Sequence, residues 1–136
     1  MKKNTKGFTL IELLAVIVIL AIIALIATPI VLNLINEARK GAAKDSAYGV
    51  KKAAELYYST SLLTAEGSFA GATFTCDGSA CTTTDGKSLN IEGTVPDEGT
   101  VVIAGDGTIT YGDSSTLKFG SYNVYYNEAT RKFGNS

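Results

Sequence analysis

Across residues 13–35 the chain is apolar at every position except Thr28, Pro29 and Asn33. An apolar stretch of this length predicts one helix of about 20 residues or slightly more that spans a membrane. The competing reading is a buried helix of a soluble core. It is the weaker one, because a chain of 136 residues has little with which to cover such a helix all round. Pro29 removes one backbone donor and crowds the preceding turn, so a kink or local loosening is expected there.

Helical spacing continues beyond the apolar stretch but narrows to one face. Ala43, Ala47, Val50, Ala54 and Tyr57 recur at alternating steps of four and three, which aligns them along one stripe. Lys44, Lys51, Lys52 and Glu55 lie mainly off that stripe. Alanines on the stripe allow close approach of another element, most simply the chain's own sheet. A helix from Phe8 to about Ser61 is roughly 80 Å long at 1.5 Å per residue.

From Thr64 onward Gly, Thr, Ser, Asp and β-branched residues take over. Residues 100–104 and 108–111 flank Gly105-Asp106-Gly107, a hairpin signal. Residues 117–119 and 122–126 predict further strands, with 131–133 a short last one. The expected fold class is α+β: a long N-terminal helix packed on a small antiparallel meander that needs the helix as its cover.

Charge sharpens this division. Lys2, Lys3 and Lys6 precede the apolar run with no acid before Glu12, which leaves the N-terminus in the cytoplasm by the positive-inside rule. Residues 37–60 carry five bases against three acids, and residues 61–136 four bases against nine acids. A basic stem with an acidic head does not fit a nucleic-acid binder, whose basic residues cluster on the exposed face. It suits a protein that meets copies of itself. The chain has no histidine, so a Ser-His-Asp or Cys-His nucleophile cannot be assembled and the commonest zinc ligand is missing. The expectation is a non-enzyme without cofactor.

The junction Lys6-Gly7-Phe8-Thr9-Leu10-Ile11-Glu12-Leu13 is the most informative segment. A secretory signal peptide places its cleavage site after the apolar core. Here the small residue that admits a protease, Gly7, comes before it, so cleavage leaves the apolar helix on the mature chain. The basic leader, the glycine directly before Phe8, Glu12 five residues into the cut chain and Pro29 together resemble the prepilin signal of type IV pilins, type II secretion pseudopilins and competence pilins. The resemblance covers roughly the first 55 residues.

The resemblance implies cleavage between Gly7 and Phe8 by a membrane-bound prepilin peptidase and N-methylation of the new Phe8 amine. It further implies a stay in membrane lipid, an inner-membrane assembly platform, and self-association into a helical filament at the cell surface. The corresponding parts are 1–7, a leader that is removed; 8–36, a transmembrane and assembly helix; 37–63, an extracytoplasmic amphipathic helix; and 64–136, an antiparallel β head. Pilus, secretion and competence subunits share this N-terminal chemistry. The rival from another class is a monomeric surface binding module held by an uncleaved anchor, which leaves Gly7-Phe8 with Glu12 unexplained.

Glu12 has two readings. An acid in the first turn of a helix is favoured by the macrodipole, worth about 0.3–1 kcal/mol. Yet it also opens a lipid-facing run, where an ionised side chain is costly and usually partnered. The family implies the partner: the Phe8 amine of an adjacent subunit, which sets axial register.

Cys76 and Cys81 enclose Asp77-Gly78-Ser79-Ala80. Outside the cytoplasm two cysteines around such a turn predict a disulfide; two thiolates without histidine fill only half a zinc shell. Asp97, Glu98, Asp106 and Asp113 raise calcium, which some related pseudopilins bind in the head. Their spacing matches no EF-hand loop, and turn chemistry explains acids beside glycine more simply. No metal is expected. The seven tyrosines read as ordinary strand and core-boundary residues.

Overall fold

A computed structural model describes residues 7, 9–112 and 115–135. Helix α1 covers Leu10–Thr64, and seven strands follow: β1 (Ala72–Cys76), β2 (Cys81–Thr82), β3 (Gly99–Ile103), β4 (Ile109–Thr110), β5 (Thr116–Phe119), β6 (Tyr122–Asn127) and β7 (Lys132–Asn135). The chain divides into two compact units, Met1–Ala38 and Arg39–Ser136.

The first unit holds the apolar part of α1. Every described side chain before Arg39 is exposed except the half-buried Ala27. Full burial of a large aliphatic side chain is worth about 1.5–3 kcal/mol, so a run this long forfeits tens of kcal/mol in water. The segment is long and apolar enough to cross a membrane. The helix continues through Pro29. Proline has no N–H to offer the carbonyl four residues back, and the Thr28 hydroxyl donates to the Ala24 carbonyl at 2.6 Å in the same turn.

In the second unit the small-residue stripe is the buried one. Ala43, Ala47, Val50 and Ala54 are buried and Tyr57 half-buried, and Ala53 widens the stripe. Gly49 shows how near the backbone comes: a Cβ there would lie 3.0 Å from the Glu92 carbonyl. Facing the helix are the inward positions of the strands. Phe74 and Cys76 of β1 alternate with exposed threonines, and Val101 and Ile103 are the buried pair of β3. Leu117 and Phe119 of β5, Val124 of β6 and Phe133 of β7 complete the core. Tyr48 ties helix to sheet twice, accepting from Phe133 N at 3.1 Å and meeting the Phe133 ring edge-on at 5.0 Å.

All pairings are antiparallel, as expected, but the strands form two sheets rather than one meander: β2-β1-β3-β4 and β5-β6-β7. The hairpin around Gly105-Asp106-Gly107 joins β3 and β4 with Val102 opposite Thr110. Strands β1 and β2, for which the sequence pattern predicts no strand, add a second hairpin. The two sheets meet at an isolated bridge between Glu98 and Lys118, with Lys118 N donating to Glu98 O at 3.0 Å and Asp97 N to Lys118 O at 2.8 Å. Gly99, at φ 137°, opens β3 here, and a Cβ on it would sit 2.8 Å from Leu117 Cδ2. Packing leaves no room for a side chain at the joint.

Candidate processing and assembly site

Thr9 and Glu12 close the start of α1 as a reciprocal pair. Thr9 N donates to Glu12 Oε2 at 3.1 Å, and Glu12 N donates to Thr9 Oγ1 at 3.2 Å. Leu13 N then makes the first helical bond to Thr9 O at 3.1 Å. This is a capping box: Thr9 is the cap, and Glu12, three residues on, satisfies a donor the helix cannot. The sequence reading weighed the helix dipole and a neighbour's Phe8 amine for Glu12 but not this local pair, although Thr9-x-x-Glu12 was itself the signal. Both side chains are exposed.

Gly7 is exposed, lies outside the left-handed backbone region, and has open space where a Cβ would stand. The fold therefore places no demand for glycine there. Phe8 and the leader lysines Lys2, Lys3 and Lys6 lie outside the described residues. Pro29 falls within α1, nearly five turns from Glu12, and the two are not brought together.

Cys76 and Cys81 are disulfide-bonded with their Cα atoms 3.9 Å apart, closing the β1–β2 hairpin. Inside the ring Asp77 Oδ1 accepts from Ser79 N, Ser79 Oγ and Ala80 N at 2.9–3.0 Å. The turn also reaches outward, with Gly78 N donating to Pro96 O at 2.9 Å beside the sheet joint. The covalent ring thus supports more than itself. Cys76→Ser should cost about 2 kcal/mol by the loop-entropy argument and open two protease-sensitive sites, one at the hairpin and one near Pro96. Helix content by circular dichroism should be unchanged; nicking confined to the hairpin would show that the turn does not brace the joint.

Of the acids raised for calcium, the described ones are held by other partners. Among the described residues no three His, Cys, Asp or Glu side chains form a metal-sized group. Asp97 Oδ2 accepts from Gly120 N, Glu98 pairs with Lys118 at 3.5 Å, and Asp106 accepts from Thr108 N in its own turn at 3.0 Å. Asp113 lies outside the described residues.

Three exposed carboxyls sit below their ordinary value near 3.8. For Asp77 the main cause is the Ala80 N–H, then Ser79; for Asp85 it is the Thr83 hydroxyl; for Asp106 the Thr108 N–H. Depressed folded-state values mean these bonds stabilise the head above the unfolded pKa and are lost as pH falls through the folded one. The thermal midpoint of detergent-solubilised protein should stay level from neutral pH to roughly pH 5 and fall below about pH 3.8. A midpoint already dropping between pH 7 and 5 would contradict this.

Residues 2–28 match the family model of the prokaryotic N-terminal methylation motif. The match marks a type IV pilin-like prepilin signal, and the α+β architecture behind it is pilin-like. The motif's family is structural rather than enzymatic, and signal and apolar helix together fit a membrane-anchored precursor of the pilin or pseudopilin type. In general the motif implies processing by prepilin peptidase and assembly into filaments. No curated protein and no solved structure matches the chain.

Proposed function

We propose that this chain is a structural, non-catalytic subunit of a type IV pilus or of a related type II secretion or competence filament. The carrying observation is the methylation motif at residues 2–28, placed ahead of a helix whose apolar side chains stand exposed. Prepilin peptidase removes residues 1–7 by cutting between Gly7 and Phe8, and the new Phe8 amine is methylated. Residues 8–36 hold the monomer in lipid until the inner-membrane platform passes it into the filament. There they exchange lipid for the same segment of other copies. Residues 37–63 and 64–136 form the part displayed at the surface.

Glu12 sets register by meeting the Phe8 amine of the neighbouring subunit, and Pro29 relaxes the helix locally for packing. The capping geometry supports this assignment, because Thr9 N holds the Glu12 carboxylate toward the N-terminal end of α1. Pilus, secretion and competence roles draw on the same N-terminal chemistry.

The test is electron microscopy of the cell surface with antibody against residues 39–136, in cells with and without the prepilin peptidase. Labelled filaments that vanish with the peptidase support the reading. Diffuse surface label that is indifferent to the peptidase overturns it in favour of a monomeric anchored binding module.

A further inference from the structure

Helix α1 contains two glycines, Gly41 and Gly49, and packing explains only one of them. Gly49 is half-buried, and a Cβ there would crowd the Glu92 carbonyl at 3.0 Å. Gly41 is exposed, and a Cβ on it would meet nothing within 4 Å. Its backbone is not left-handed. Alanine would therefore fit at 41 without strain, and in a helix interior alanine is favoured over glycine roughly two- to fivefold. Glu37-Ala38-Arg39-Lys40 before it and Ala42-Ala43-Lys44 after it are good helix formers. A lone glycine in such company weakens the helix where neither packing nor backbone geometry asks for it.

The first compact unit ends at Ala38 and the second begins at Arg39. The first buried side chain of α1 is Ala43. Gly41 thus lies beyond the apolar segment and short of the stripe on which the strands pack. The carbonyls on either side of it are both shared with side chains. Ser46 Oγ donates to the Ala42 carbonyl at 2.9 Å, and Asn135 Nδ2 to the Lys40 carbonyl at 3.3 Å. In a helix those carbonyls also serve the amides four residues on, and a hydroxyl bonded back in this way bends helices. Glycine and serine in one stretch of helix are a recurrent cause of kinks.

We propose that Gly41 is a hinge, at which the folded head changes its angle to the apolar anchor during assembly. The inference rests on the reading of the chain as a filament subunit, in which the anchor leaves lipid for other copies while the head stays folded. Two different surroundings then fix the anchor's direction, one before the transfer and one after it. A helix stiff at 41 would impose a single direction on both. Pro29 lies inside the apolar segment and does not turn the head independently of the outer part of the anchor. Glycine lowers the cost of bending at one point between the two, as small residues do at hinges. Gly41 touches no partner in this role and acts only through what it lets the helix do.

Gly41→Ala tests the hinge without endangering the fold, and moving the glycine by one residue, as Gly41→Ala with Ala42→Gly, serves as the rescue. Hydrogen exchange read by mass spectrometry, on the mature full-length protein in phosphatidylglycerol–phosphatidylcholine nanodiscs, reports local opening. Amides of residues 40–46 should exchange about two- to fivefold more slowly in Gly41→Ala. They should return to the wild-type rate in the relocated variant, while the thermal midpoint of the head stays level or rises in Gly41→Ala. In cells, processed monomer should be unchanged in both variants. Sheared filament yield should fall about fivefold or more in Gly41→Ala, and relocation should restore it. Wild-type filament yield for Gly41→Ala overturns the hinge, as does a loss that relocation does not rescue or exchange indifferent to the substitution. Absence of filaments from wild-type cells would instead refute the filament reading, and exchange in the nanodiscs would then decide by itself whether the helix bends at 41.

Discussion

Glu12→Val should leave processed protein abundant in the membrane while filaments nearly disappear. The proposed contact joins the Glu12 carboxylate to the Phe8 amine of a neighbouring subunit. At about 4 Å and an effective dielectric of 20 such a pair attracts by about 4 kcal/mol. Removing the acid also relieves the monomer of a charge in lipid, worth at most roughly 2.5–3.5 kcal/mol and less near the interface. The net loss per contact is then about 0.5–4 kcal/mol, roughly twofold to several hundredfold in the assembly equilibrium, and largest where Glu12 lies near the interface.

Valine alone does not isolate that loss, because it also dismantles the capping box with Thr9, worth about 1 kcal/mol. Glu12→Gln separates the two effects. Glutamine serves in a capping box as glutamate does, but it carries no charge. If the ion pair sets register, glutamine should reduce sheared filament yield nearly as far as valine. If Glu12 only caps the helix, glutamine filaments should be close to wild type. Yield for both variants, measured beside the amount of processed monomer, decides between them.

Gly7→Val should block processing outright, with full-length precursor accumulating and filaments absent. The structure makes this prediction clean. A side chain at Gly7 meets nothing within 4 Å, and the backbone there is not left-handed, so the substitution should cost the described fold nothing. Any failure belongs to the protease, which must reach the peptide bond directly before an apolar helix. Normal trimming of Gly7→Val would remove the proposed reason for glycine at this position.

The helix was readable from the sequence because its information is local and periodic. Residues 43, 47, 50 and 54 repeat with the turn of a helix, and the same residues are buried. The disulfide was readable because two cysteines five residues apart left few alternatives. The strand Ala72–Cys76 was missed, although its burial alternates at Phe74 and Cys76. Threonines and a lone alanine gave that alternation too little hydrophobic contrast. Division into two sheets was not readable, since it depends on a bridge between Glu98 and Lys118, twenty residues apart.

At the N-terminus the sequence supplied Gly7, Glu12 and their chemistry, but not the bond that directs Glu12 back onto Thr9. The buried hydroxyl of Tyr111, which has no hydrogen-bond partner, was equally hidden. Tyrosine at a strand end looks the same whether or not its phenol finds a partner, and only packing decides.

The central claim is that this chain is trimmed once, methylated and built into filaments. Intact-mass measurement with N-terminal fragmentation, on protein sheared from the cell surface, tests it most directly. A single species is expected that begins at Phe8, carries one methyl group on its amine, and retains the bridge between Cys76 and Cys81. Surface protein that still contains residues 1–7, or that begins beyond the apolar helix, would contradict it.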